Sequence, residues 1–264
     1  MTETNLPSHW ADMHRLWTYL GAPLRPPAEA VKSAVDAAGK AAAGRTLVLG
    51  VTPEFHAALR EVVALDAHPG MIAAVWPGDD DGHRAVLGNW MTDIPALGRF
   101  DLCLGDLALS QVKADDARRV IALVAAALNP GGRIVHRVIR RPEAPVTEAA
   151  IRALAEGPDF NFHGLRVTIG LRLSQTIGST FPVAAIHDTF CRIFPDREDF
   201  LARTGLPRER LALVDHYARS TQTWYVPGAG ELLSLAEGTG LSAVLEPSGD
   251  YPFARDLPLL VMGG

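Results

Sequence analysis

From Arg45 to Val138 the sequence alternates short apolar runs with helical patterns, and no other feature constrains the fold as strongly. Thr46-Leu-Val-Leu-Gly50 and Val62-Val-Ala-Leu-Asp66 read as buried strands, the first ending on glycine and the second on a carboxylate. A weaker third strand covers Ala85 to Leu87, Phe100-Asp-Leu-Cys-Leu104 is a fourth, and Arg133 to Val138 a fifth. Helical segments lie between them: Pro53 to Leu59, His68 to Trp76, and Lys113 to Leu128, the last stopped by Asn129-Pro-Gly-Gly132. Strands alternating with helices in this way form right-handed βαβ units on a parallel sheet. The first turn carries the matching local chemistry. Thr52 suits an N-cap, Pro53 the first helical position, and Glu54 the positive end of the helix.

The flanking segments follow other rules. Trp10, Met13, Leu16, Trp17 and Leu20 form an amphipathic stripe that predicts a helix from His9 to Leu20. Pro23, Pro26 and Pro27 break it, and an alanine-rich helix follows from Ala28 to Ala43. The aromatic residues Trp10, Trp17 and Tyr19 either pack onto the core or form a lid over a pocket. After Pro142 the alternation is lost. Thr147 to Glu156 reads as a helix, Leu165 to Ser174 is apolar with weak periodicity, and short helices continue to about Ser220. The rhythm returns with Thr223-Trp-Tyr-Val226, a helix from Gly230 to Glu237, and strands at Leu241 to Leu245 and Leu257 to Met262. Those last two strands are close enough in sequence to pair antiparallel. The expected organisation is an N-terminal helical arm (1–44), an α/β core (45–146 with 221–264), and a helical insertion (147–220) placed to cap a substrate.

With 264 residues, 48% of them apolar and 21% charged, the chain suits one α/β core with insertions. The net charge is −5, and the densest basic knots (Arg137, Arg140, Arg141; Arg203, Arg208, Arg210) are short. A nucleic-acid partner calls for a broad basic face, so none is expected. Cys103 and Cys191 lack any disulfide or metal-ligand spacing, and no metal is expected. The first residues show neither a basic segment nor an apolar one, and no apolar run is long enough to span a bilayer. These points lead to the expectation of a soluble, cytoplasmic protein with no membrane partner.

In an open parallel sheet, ligands bind beyond the carboxyl ends of the strands. Four segments meet there: the turn after Gly50, Asp66, Gly88-Asn-Trp90, and Gly105-Asp106-Leu107. Together they supply a helix N-terminus, a carboxylate for a ribose diol, a polar and aromatic pair for a purine, and a loop facing the reacting end. A dinucleotide needs glycines where its pyrophosphate approaches the first helix. Here those places hold Thr52 and Glu54, and the glutamate would repel a pyrophosphate. S-adenosylmethionine has no phosphate, and its ammonium could meet an acidic group.

The chain resembles the class I S-adenosylmethionine-dependent methyltransferases over roughly residues 46–138 and 223–264. The segments that carry the resemblance are Leu47-Val-Leu-Gly50, Ala64-Leu-Asp66 with Pro69-Gly-Met-Ile72, Gly88-Asn-Trp-Met91, Phe100-Asp-Leu-Cys-Leu-Gly-Asp106 and Leu128-Asn-Pro-Gly-Gly-Arg-Ile134. The resemblance implies a Rossmann-like, doubly wound sheet of seven strands with the last strand inserted antiparallel. It also implies Asp66 on the cofactor ribose, Gly50 and Thr52 against the methionine moiety, Asn89 and Trp90 near the adenine, and Asp106 with Leu107 beside the sulfonium. Val48, Thr52, Glu54 and Asn89 depart from the family pattern. Glu54 either takes the ammonium contact or only complements the helix dipole.

Methyl transfer asks a protein mainly to align the nucleophile and sometimes to take its proton. His187 (beside Asp188) and His216 in the insertion are the candidate bases, because histidine titrates in the useful range. Tyr217 and Tyr19 are weaker candidates. The expected activity is methyl transfer from S-adenosylmethionine to a small organic molecule, leaving S-adenosylhomocysteine. Two alternatives stay open: a catalytically silent methyltransferase-like scaffold and a nicotinamide-dependent oxidoreductase.

Overall fold

The computed structural model describes residues 13–264. Its strands, in chain order, are β1 Arg45–Leu49, β2 Glu61–Asp66, β3 His83–Leu87, β4 Phe100–Asp106, β5 Leu128–Arg137, β6 Thr180–Pro182, β7 Thr223–Tyr225, β8 Ser242–Glu246 and β9 Leu259–Gly263. Seven of them form one sheet in the order β3-β2-β1-β4-β5-β9-β8. The pairs β1–β2, β1–β4, β2–β3 and β4–β5 are parallel, whereas β9 runs antiparallel to both β5 and β8. The expected Rossmann-like sheet with an inserted antiparallel last strand is therefore present.

Register decides where the site can be. Leu49 lies opposite both Leu65 and Gly105, so β1, β2 and β4 end level with one another. Gly50, Asp66 and Asp106 consequently share one edge of the sheet.

Both faces of the sheet are covered. The helices α1 Ala28–Ala38, α2 Pro53–Ala58 and α3 Pro69–Val75 precede β4, and α4 Ala114–Ala126 follows it. Val48 and Ala64 belong to the core that contains Ala34, Phe55 and Met71, on the first three helices. Leu47, Leu49 and Val63 face the core that contains Val120, Ile121 and Val124 of α4. Burial on both faces is why the strands read as continuous apolar runs rather than alternating ones.

The insertion holds α5 Glu148–Glu156, α6 Phe162–Thr176, α7 Ala184–Ile193 and α8 Arg197–Thr204. The weakly periodic segment around Leu165 is thus one continuous helix, capped by the Asn161 side chain on the N–H groups of His163 and Gly164. Eleven of its fifteen residues are buried, so no polar stripe marks its period. Thr223–Tyr225 pairs with Thr180–Pro182 in a separate two-stranded sheet and does not join the main one. Of the N-terminal arm, residues 13–16 are helical and Trp17–Tyr19 form a 3₁₀ turn; Trp10 lies outside the described residues. Among the described residues no helix is long and apolar enough to cross a membrane.

Candidate cofactor site

A cavity of about 250 Å³ opens at the carboxyl ends of β1, β2 and β4. Its floor is made by Gly50, Asp66, Trp90 and the Asp106–Leu107 segment, and its roof by Met13, Trp17, Leu20 and Leu24 of the arm. Tyr217, Gln222 and Trp224 line it from the far end of the insertion and from β7. Trp17 and Tyr19 are partly buried against the core; Trp17 also lines the cavity, and the Tyr19 carbonyl accepts from Arg210 Nη1 at 2.6 Å.

The floor is built by backbone bonds. Gly50 N–H donates to the Leu65 carbonyl at 2.9 Å, and Gly88 N–H donates to the Asp66 carbonyl at 2.9 Å. Gly50 has φ +87°, a conformation that favours glycine. A Cβ there would come within 3.7 Å of Asp66 Oδ2 and 3.8 Å of Trp90 Cζ2. The missing side chain thus leaves a cradle between a carboxylate and an indole. Trp90 is fixed by donating from Nε1 to the Leu65 carbonyl at 2.6 Å.

Asp66 Oδ1 accepts from the His68 N–H at 2.8 Å. Burial raises the Asp66 carboxyl to about 6, against the lowering effect of the His68 and Val51 backbone donors. A carboxylate can accept about four hydrogen bonds, so beyond its two backbone donors Asp66 keeps capacity for ligand hydroxyls. His68 lines the same cavity, and burial lowers its pKa, so the ring is neutral near pH 7.

Asp106 is committed elsewhere. Its two oxygens accept from Arg137 Nε at 2.5 Å and Nη2 at 2.9 Å, and Arg137 Nη1 continues to the Pro23 carbonyl at 2.8 Å. Burial works against the Arg137 charge, but Asp106 and the Tyr251 hydroxyl overcome it and hold the guanidinium above its usual range. Leu107 follows with φ +54°, an uncommon conformation for leucine that turns the chain along the cavity wall.

The other expected site residues are distributed as follows. Thr52 lines the cavity and is the N-cap of α2, with Pro53 at the start of the helix, but its hydroxyl makes no cap bond. Asn89 lines the cavity while its Oδ1 accepts from the Met91 N–H at 2.8 Å. Glu54 does not reach the described lining: Arg25 holds its Oε1 through Nε at 3.0 Å and Nη2 at 2.5 Å. Arg25 itself lines the cavity, so this wall presents the cationic half of an Arg25–Glu54 ion pair.

His187 and His216 are not among the residues that line the cavity. On α7 the buried face is Ile186, Thr189, Phe190 and Ile193, which leaves His187 on the flank beside Asp188 and Cys191. His216 sits in a 3₁₀ turn in which its neighbour Tyr217 takes the buried, cavity-facing position. Gln111 and Gln222 also line the site, and neither belongs to a recognisable motif.

One group of metal-type donors comes together among the described residues: His56, Asp80 and His83, at the end of β3 opposite the cavity. The two imidazoles stack at 4.1 Å with 24° between their planes, so their in-plane lone pairs do not converge on one ion.

No protein-family model matches the sequence, and no curated protein matches it. Solved structures do. The chain is similar over 97% of its length to 98% of the CcbJ methyltransferase from Streptomyces caelestis, with TM-score 0.57 and 12% identity. It is similar over 96% to 94% of CalS10, an amino pentose methyltransferase from Micromonospora echinaspora described with bound S-adenosylmethionine, with TM-score 0.52 and 15% identity. The fold is the class I methyltransferase fold. A chain from Rhodobacter sphaeroides provisionally described as a Zn-dependent alcohol dehydrogenase shares it, with TM-score 0.60 and 15% identity over 97% of this chain and 96% of that one. Gly50, Asp66 and Asp106 share the carboxyl-end edge of this sheet, the edge at which open α/β sheets generally take their ligands.

Proposed function

We propose that the chain binds S-adenosylmethionine across the carboxyl ends of β1, β2 and β4 and directs its methyl group to a small organic molecule, through an oxygen or nitrogen acceptor. The observation that carries this reading is the convergence of Gly50, Asp66 and Trp90 on one cavity in a class I methyltransferase fold. When bound, the cofactor supplies a methyl carbon activated by its bond to a positively charged sulfur.

The chain's own residues then bind, orient and exclude water. Asp66 accepts from the ribose hydroxyls. The cradle at Gly50 and the backbone to Thr52 receive the methionine moiety, and Arg25 offers a guanidinium to its carboxylate. Asn89 and Trp90 flank the adenine. The Asp106–Arg137 pair holds the end of β4 against the arm, so that Leu107 and the Trp17 lid close the cavity from water.

A nicotinamide reading is weaker on two counts. Thr52 and Glu54 stand where a pyrophosphate needs glycines. The antiparallel β9 between β5 and β8 also departs from the all-parallel dinucleotide order. Calorimetric titration with S-adenosylhomocysteine and, separately, with NAD discriminates the readings. Saturable binding of the first supports methyl transfer, binding of NAD alone overturns it, and binding of neither favours a silent scaffold.

A further inference from the structure

Gln222 sits immediately before β7, lines the cavity and is only 4% exposed. All of its polar groups but one are committed. Its backbone N–H donates to Ser220 Oγ at 3.1 Å, and its carbonyl accepts from the Val183 N–H at 2.9 Å. Its Nε2 donates to two carbonyls, that of Gln111 and, at 3.2 Å, that of Thr223. Two carbonyl partners fix which end of the amide carries the nitrogen, because a carbonyl has nothing to donate to an oxygen. Oε1 is the atom left over, and among the described residues no group donates to it. The same corner holds a second such oxygen. Gln111 closes the 3₁₀ turn Ala108–Gln111, directly after Leu107, and its side-chain Oε1 is buried without a partner.

A carboxamide oxygen accepts a hydrogen bond but is too weak a base to remove a proton, and this separates the two acceptor atoms. A neutral amine attacks with its lone pair and keeps its hydrogens. The N–C bond forms, the C–S bond breaks with its electron pair going to sulfur, and the nitrogen turns positive before its proton leaves to solvent. An N–H bond to Oε1 strengthens as that charge develops, which favours the transition state over the ground state. A hydroxyl has to give up its proton to attack, and Oε1 cannot take it. Of the carboxylates and imidazoles in the lining, Asp66 and His68 stand at the end of β2, with β1 between them and β4, and Asp106 is held by Arg137. Leu20, Leu24, Trp17 and Trp224 add apolar lining. Resting on the methyl-transfer reading of this cavity, we infer that the methyl acceptor is a primary or secondary amine on an apolar body, held through its N–H by Gln222 Oε1. A purely structural role for Gln222, tying β7 to the turn after β4, predicts no choice between nitrogen and oxygen.

The test supplies S-adenosylmethionine together with probes that carry both atoms on one apolar body: tyramine, para-aminobenzyl alcohol and phenylalaninol. The reaction runs at about pH 9, where an aliphatic amine has a neutral fraction. Fragmentation mass spectra then place the added methyl group, which should sit on the nitrogen of at least one probe. Methyl on oxygen, or on no probe while S-adenosylhomocysteine binds in calorimetry, overturns the inference. Two variants test the residue. Gln222→Met removes the acceptor oxygen and should lower transfer to nitrogen by about tenfold or more, the worth of one charge-assisted contact. Gln222→Glu loses both donor bonds to the carbonyls but keeps an acceptor oxygen, so it should retain transfer, whereas a structural tie predicts that it fails as the methionine does. Normal transfer in Gln222→Met, or lost transfer in a folded Gln222→Glu, also overturns the inference. The wild-type product decides the matter if neither variant folds. If S-adenosylhomocysteine itself fails to bind, the methyl-transfer reading falls and this inference falls with it.

Discussion

The Asp106 carboxylate and the Arg137 guanidinium meet in a two-pronged, buried contact, Nε to Oδ1 at 2.5 Å and Nη2 to Oδ2 at 2.9 Å. Both side chains are nearly inaccessible, at 6% and 2% exposure. Removing one partner strands a buried charge, which costs about 3–5 kcal/mol. Asp106→Asn should therefore lower the urea-unfolding free energy by an amount in that range. A loss below about 1 kcal/mol, the worth of an exposed pair, would show that solvent reaches the pair.

On the methyl-transfer reading, Asp66 should make cofactor binding sensitive to pH. In the ligand-free protein its carboxyl stands at about 6, because burial outweighs the two backbone donors. The ribose hydroxyls need the ionised form as acceptor, so affinity is full above that value and falls as pH drops through it. Well below pH 6 the dissociation constant for S-adenosylhomocysteine should rise by up to about tenfold per pH unit. His68 also gains a proton on acidification, so His68→Gln serves as the control and should leave the fall in place. A flat profile between pH 5 and 8 would remove Asp66 from the site.

The same carboxyl should limit the stability of the ligand-free protein. A group whose pKa is raised on folding stabilises fully below its unfolded value, 3.8 here, and that contribution is lost as pH rises through about 6. Near pH 7 the ionised Asp66 thus opposes folding. Asp66→Asn should raise the melting temperature by a few degrees there and have no effect near pH 4, while losing S-adenosylhomocysteine binding. Equal melting temperatures at both pH values would mean that the carboxylate is solvated.

The parts of this fold that show in the sequence are those where one residue must do one local job. An apolar run has to stop where the chain leaves the sheet, so Gly50 and Asp66 mark the site edge directly. The turn chemistry of Pro53 is equally local. What the sequence hides is direction. Glu54 turns to Arg25, a partner twenty-nine positions away across the arm, and nothing local announces it. His216 and Tyr217 are adjacent in a 3₁₀ turn, and the cavity lies on the tyrosine's side, a choice that no periodicity encodes. Arg166 sits inside the apolar run Leu165-Arg-Val-Thr-Ile-Gly-Leu171, and that isolation is the one available signal of a buried cation.

Gly50 offers the sharpest separation of binding from folding. At φ +87° a side chain meets backbone strain of about 1–2 kcal/mol, and its Cβ would point into the space between Asp66 Oδ2 and Trp90 Cζ2. No atom there lies closer than 3.7 Å, so the folded protein can hold a methyl group without a clash. The ligand cannot, because the methyl group fills the cradle proposed for the methionine moiety. Gly50→Ala should therefore fold with a modest loss in unfolding free energy, yet weaken S-adenosylhomocysteine by about 100-fold or more, the effect of roughly 3 kcal/mol. Circular dichroism melts and calorimetry on the same preparation read the two effects separately. A variant that binds normally would place the cofactor away from the β1 turn, and the cavity at the ends of β1, β2 and β4 would need another occupant.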